Sequence, residues 1–167
     1  MKEIKIIVDT SFLLPILGIE VEEVSNDDLV FLKKIVNKVT LLYPSPMLIE
    51  LIGKAVKKAK ERGLSSLPTE AVEGLKITFS GVFIEIINPD FDFLILASRI
   101  WLHGHKDMLD NIAYTCSRSL NAFFLTLDRD FVDFLREKNY PTDNIVDIAL
   151  GKFSLTCTRL LVSIDKI

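Results

Sequence analysis

The chain has 167 residues, of which 49% are apolar and 26% charged, and a formal net charge of -3. Those values describe one globular domain with a substantial core and exclude intrinsic disorder. The slight acidity argues against a protein that coats nucleic acid nonspecifically, but it does not exclude a nuclease, whose metal site is itself acidic. The longest run without a charge, residues 39–49, contains Pro44 and Pro46 and is far shorter than the about 20 apolar residues of a membrane helix. The N-terminus is charged and then strand-like, with no uninterrupted apolar signal core, so a cytoplasmic protein without a membrane partner is expected. Cys116 and Cys157 form no CxxC pair, which removes zinc-finger and thioredoxin readings and leaves two buried thiols.

In chain order, Lys5–Val8 is a short apolar, β-branched strand that stops at Asp9-Thr10-Ser11. Residues 12–17 are apolar and open a helix, with Pro15 limiting its start. Ser25-Asn26-Asp27-Asp28 is an N-terminal helix signal, followed by Leu29, Leu32, Ile35, Val36 and Val39 at helical spacing. Residues 41–43 form a second strand. Ser45 is placed to cap a helix with Pro46 in its first turn, an apolar stripe of Leu48, Leu51, Ile52, Ala55, Val56 and Ala59, and a stop at Gly63. Helix is expected over 68–76 or beyond, strand over 83–87, helix over 92–102, a His103-Gly104-His105 loop, helix over 106–119, strand over 123–127, helix over 131–137 and a last strand over 144–147. The tail from Ile148 is apolar and carries no assignment. Phe79, Phe83 and Phe91 are expected in the core, with part of the apolar surface available for dimerisation.

Strands alternate with helices, so the fold class is α/β with a mostly parallel sheet, whose functional residues sit beyond the C-terminal strand ends. Asp9 ends the first strand and Asp128 follows the strand over 123–127. Glu50 and Asp110 lie in the first turns of two helices. Four carboxylates from distant parts of the chain are thus expected to converge on one crevice. Like charges held together raise one another's pKa and oppose folding, a penalty that a divalent cation reverses. Each acid also has an ordinary reading as a turn residue, a helix cap or a partner of the helix dipole.

Four segments carry a closer likeness: Ile6-Ile7-Val8-Asp9-Thr10-Ser11-Phe12-Leu13-Leu14, Tyr43-Pro44-Ser45-Pro46-Met47-Leu48-Ile49-Glu50-Leu51, Asp107-Met108-Leu109-Asp110-Asn111-Ile112-Ala113, and Phe124-Leu125-Thr126-Leu127-Asp128-Arg129-Asp130-Phe131. In this order they resemble the PIN-domain ribonucleases, including the VapC-like toxins. The resemblance implies a Rossmann-like sheet of about five parallel strands with helices on both faces. It also implies a nuclease domain over 1–147, with 148–167 as an extension packed on it.

The resemblance makes Asp9, Glu50, Asp110 and Asp128 the catalytic acids that bind Mg²⁺ or Mn²⁺. Ser11 and Thr126 become supporting polar residues and Asp130 an accessory acid. It implies an endoribonuclease acting on single-stranded or structured RNA, leaving a 3′-hydroxyl and a 5′-phosphate. An antitoxin or other protein partner and a homodimer are family-level expectations. Where the toxins usually read Asp-Ala-Leu-Ile-Ala, this chain reads Asp110-Asn111-Ile112-Ala113-Tyr114.

Arg129, Lys54 and Lys57 are candidate contacts to substrate phosphates. The lysines equally suit a solvated helix face. His103-Gly104-His105-Lys106-Asp107 lacks the further histidine of a His-rich zinc centre and is read as a loop, with Asp107 as a helix cap. Ser11 stands where a haloacid-dehalogenase phosphatase needs a second Asp, and no phosphate-loop sequence is present. The alternative to an enzyme is a catalytically silent PIN-like module that binds RNA or protein.

Overall fold

A computed structural model describes residues 4–22, 24, 30, 36 and 38–147. Most of the helix expected from Ser25, the extension 148–167 and Cys157 lie outside the described residues.

Five strands form one sheet: β1 (Lys5–Val8), β2 (Thr40–Pro44), β3 (Glu85–Ile87), β4 (Phe123–Thr126) and β5 (Ile145–Asp147). Their order is β3-β2-β1-β4-β5 and every pairing is parallel. Ile7 stands beside Leu42 on one side and Phe124 on the other, so β1 is central. It is buried on both faces, with Ile6, Ile7 and Val8 at 0–1% exposure. That burial explains its continuous apolar run without alternation. Each such side chain contributes roughly 1.5–3 kcal/mol when fully buried.

Parallel strands need crossovers, and right-handed crossovers place the helices of the two half-sheets on opposite faces. The α-helices with described bounds are α1 (Met47–Glu61), α2 (Thr69–Phe79), α3 (Phe91–Leu102), α4 (Met108–Ser119) and α5 (Arg129–Glu137). The chain first runs outward from β1 to β3, then returns to the other side of β1 for β4 and β5. The order therefore reverses next to β1, which opens a crevice beyond the ends of β1 and β4.

Several local expectations are corrected. Residues 12–17 do not open an α-helix but lie in two short 3-10 helices, Thr10–Phe12 and Leu14–Leu17. Pro15 follows the first residue of the second, where its missing N–H costs nothing, and Gly18 ends it at φ 70°. Ser45 does not cap α1: Pro46 already has helical angles (φ -60°, ψ -29°) and holds the cap position, leaving Ser45 one residue further out. Finally, Phe79 and Phe91 are exposed, at 52% and 73%.

On α1 the buried stripe is Met47, Leu51, Ala55 and Ala59, each four residues from the next. Ile52 and Val56, expected in it, face outward, as does Ile49. Gly63 stops the helix as expected, with φ 71°, while the Leu64 amide donates back to Ala59 O at 3.0 Å. α4 packs between the sheet and α3. Asn111 through Ser117 are all buried on it, so its polar side chains need internal partners. Thr115 donates to Phe93 O and Ser117 to Tyr114 O. Among the described residues, no buried side-chain nitrogen or oxygen lacks a partner. No helix among them is long and apolar enough to cross a membrane.

Candidate metal centre

Asp9 stands one residue past β1, and its amide donates to Leu125 O at 3.0 Å, which continues the parallel pairing with β4. Its carboxylate caps the first 3-10 helix by accepting the Ser11 amide at 3.3 Å. The other oxygen accepts the Thr126 hydroxyl at 3.2 Å. Thr126 in turn accepts the Asp128 amide at 3.1 Å. One buried hydroxyl thus ties the ends of β1 and β4 together. Asp128 caps α5 by accepting the Phe131 amide at 2.8 Å, an arrangement worth about 1 kcal/mol to the helix.

Glu50 reaches the same region from the first turn of α1. It accepts Thr10 Oγ1 at 2.6 Å and pairs with Lys54 Nζ at 2.7 Å. Thr10 also touches the Tyr43 hydroxyl at 2.8 Å, and Tyr43 donates to Met47 O at 3.0 Å. Asp110 lies in the first turn of α4. Asp107 caps that helix as the sequence predicts, accepting the Leu109 and Asp110 amides at 2.8 and 3.3 Å.

The electrostatics follow from crowding. Burial pushes the Asp110 carboxyl up to about 8, and the charges of Asp107, Asp9, Asp128 and Glu50 push the same way. Asp9 is raised chiefly by burial and further by Glu50, against the lowering effects of the Ser11 amide, Lys54 and Thr126. Protons or a cation must therefore offset part of this charge at neutral pH. Hard carboxylate donors suit Mg²⁺ or Mn²⁺. Ligand atoms of His105, Asp110 and Asp128 lie within 4.8 Å of one another, close enough for one ion with small side-chain adjustments.

Lys54, a candidate phosphate contact, has its ammonium on Glu50. Lys57 is exposed on α1, and Arg129 and Asp130 are exposed in the first turn of α5. Ser11 reaches Asp9 through its amide, while its neighbour Thr10 reaches Glu50 through its hydroxyl. Thr10, Tyr43, His105 and Asn111 are absent from the sequence-derived set. The signal for Asn111 was present as the departure from the Ala of the toxin pattern. Cys116 is buried, with its thiol pushed up to about 12 by burial and Asp90, which makes it a poor nucleophile.

Solved structures share this architecture. One is VapBC2 from Rickettsia felis bound to a DNA fragment from its promoter, with TM-score 0.57 and 13% identity over 86% of this chain and 98% of the other. PAE2754 from Pyrobaculum aerophilum gives TM-score 0.57 and 15% identity over 98% and 91%. The chain has the VapC-like PIN-domain fold. DNA-bound VapBC from Salmonella typhimurium is similar as well, with TM-score 0.52 and 17% identity over 86% of this chain and 98% of the other. Neither the family models nor the curated proteins give a sequence match. The PIN fold is thus reached here with little sequence identity, as expected when any well-packed apolar set of the right pattern builds the same core.

Proposed function

We propose that this protein is a divalent-metal-dependent endoribonuclease that hydrolyses phosphodiester bonds of single-stranded or structured RNA. The observation that carries the reading is the Asp110 carboxylate, which lies within 4.8 Å of the Asp128 carboxylate and close enough to Asp9 and Glu50, from separate elements of the PIN fold, for their charges to act on it. In this reading Asp9, Glu50, Asp110 and Asp128 hold Mg²⁺ or Mn²⁺. When bound, such an ion neutralises charge on the scissile phosphate and makes water acidic enough to attack it. The chain's own residues set the frame. Thr126 fixes Asp9 against Asp128, Thr10 orients Glu50, and Asp107 holds the start of α4. Arg129 and Lys57, both exposed, are offered as phosphate contacts, with Ser11 and Asp130 in supporting roles.

The VapBC structures similar to this chain are bound to DNA, and an antitoxin-type protein partner is part of the proposal. Phe91, Leu94 and Leu102 expose apolar surface on α3 for that chain or for a second copy in a homodimer. A cytoplasmic location is part of the same proposal. A second reading, a catalytically silent module that binds RNA or protein, is favoured by one observation. The Lys54 ammonium already neutralises one of the four acids.

The chemistry is tested on the ends of the products. Metal-stripped protein is given RNA, then Mn²⁺. Fragments with 5′-phosphate and 3′-hydroxyl ends, formed only after Mn²⁺ is restored, are expected. Fragments with 2′,3′-cyclic phosphate ends, or cleavage that persists in EDTA, would overturn the hydrolytic mechanism.

A further inference from the structure

His105 is one of two histidines in the chain and lies outside the four acids. It is the residue after the short loop that ends α3, and its side chain is only 15% exposed. Its ring lies 4.3 Å from the ring of Phe131 and 5.3 Å from that of Phe134, centroid to centroid. Those contacts restrict the ring plane. Asn111, fully buried on α4, fixes which nitrogen carries the proton. Its Nδ2 donates to His105 O at 3.2 Å, so its Oδ1 faces the ring as an acceptor, 2.9 Å from His105 Nδ1. An amide oxygen can only accept, so Nδ1 carries the hydrogen. In the neutral imidazole the lone pair is then on Nε2.

Nε2 stands 3.9 Å from Asp110 Oδ2. That is too long for a hydrogen bond. It lies inside the span of about 4.2 Å open to two ligands of one ion, twice a metal–ligand bond of about 2.1 Å. A second nitrogen that donates to an amide or carbonyl oxygen is the usual companion of a metal-ligating histidine.

We propose that His105 Nε2 is a nitrogen ligand to the cation held by Asp110 and Asp128. The centre is therefore a mixed imidazole–carboxylate site that selects Mn²⁺, Co²⁺ or Zn²⁺ over Mg²⁺. The inference rests on the metal-dependent reading above and deepens it. Imidazole binds transition ions well and Mg²⁺ poorly, so one nitrogen donor is enough to change the preference. Asn111 acts as a positioning residue that fixes the tautomer and the ring direction.

The test uses the full-length protein and Mn²⁺ as the probe. Pulsed electron paramagnetic resonance is expected to show coupling of bound Mn²⁺ to one imidazole nitrogen. The coupling should shift when the protein carries ¹⁵N-histidine, disappear in His105→Gln and persist in His103→Gln. Titration calorimetry should show Mn²⁺ affinity reduced about 10-fold or more in His105→Gln, and about 10-fold in Asn111→Ala. Mg²⁺ affinity should change less. If His105→Gln fails to fold, the wild-type spectrum with ¹⁵N-histidine, set beside His103→Gln, decides alone. Bound Mn²⁺ without nitrogen coupling would overturn the role of His105 and leave the metal-dependent reading standing. Wild-type protein that binds no Mn²⁺ would overturn both.

Discussion

Thr10 Oγ1 donates to Glu50 Oε2 at 2.6 Å, joining residues 40 positions apart. A hydroxyl has one proton, so Thr10 accepts in its 2.8 Å contact with Tyr43. The Tyr43 proton then lies between Thr10 and Met47 O, at 2.8 and 3.0 Å. This chain of hydroxyls, buried under the crevice, fixes one carboxylate oxygen of Glu50, and Lys54 fixes the other.

Thr10→Val keeps the shape and removes the donor. A hydrogen bond to a charged group contributes about 1.5–3 kcal/mol. Most of that loss is expected in the positioning of Glu50, giving a roughly 10- to 100-fold lower kcat/KM on RNA. Steady-state cleavage of wild type and variant, with melting curves to show that the fold persists, checks this. Unchanged kcat/KM would remove Thr10 from the site.

Asp110→Asn should move stability and function in opposite directions. Burial and four neighbouring acids oppose its charge, and an amide removes that opposition. Metal-free Tm at pH 8 is expected to rise by about 3 °C or more, since 1 kcal/mol is about 2–4 °C in a chain of this size. Mn²⁺ binding should weaken in the same variant. Scanning calorimetry with and without Mn²⁺ reads both, and a lower metal-free Tm would contradict the account.

The same carboxyl sets a pH dependence. Its folded value is about 8 against 3.8 unfolded, so between those values the folded protein holds more protons than the unfolded chain. The stabilisation is fully present below pH 3.8 and is lost as pH rises through about 8. Asp9, also raised, acts with the same sign. Urea unfolding of the metal-free protein should give a free energy with a falling contribution from these groups over that window. Wild type minus Asp110→Asn isolates the part due to Asp110, and a difference that grows more favourable to wild type with pH would refute it.

Much of this was legible in the sequence, for identifiable reasons. Asp9 and Asp128 follow apolar strand runs that stop abruptly, and strand ends in a parallel sheet share an edge. Asp107 reads as a cap from its place before the apolar spacing of α4, and it is one. Thr10, Tyr43 and His105 were not legible. Their contacts to Glu50, Thr10 and Asp110 depend on how elements meet in space, and no local period encodes that. α3 is apolar nearly all round, so its sequence does not tell which face packs on α4. Ala97 and Ile100 turn inward while Leu94, Ile95 and Leu96 turn out. Ser45 was misplaced by one residue because a helix can start on either side of a Pro with helical angles.

Two glycines in helices should respond oppositely to alanine. At Gly74 on α2 an added Cβ would stand 2.4 Å from Ile16 O, so the helix could not keep its seat on the second 3-10 helix. A loss of about 1–3 kcal/mol is expected, as for other overpacked sites. At Gly53 on α1 nothing lies within 4 Å, and a gain of about 0.5–1 kcal/mol follows from helix propensity. Chemical denaturation of both variants checks the pair, and equal effects would contradict the packing described for α2.

The most direct test of the central claim is cleavage of a fluorogenic single-stranded RNA by metal-stripped protein to which Mn²⁺ is returned, with Asp9→Asn run beside it. The account predicts cleavage that appears with Mn²⁺, stops with EDTA and is lost in Asp9→Asn while the variant still melts cooperatively. Equal cleavage by wild type and a folded Asp9→Asn would place the activity outside this centre and contradict the account.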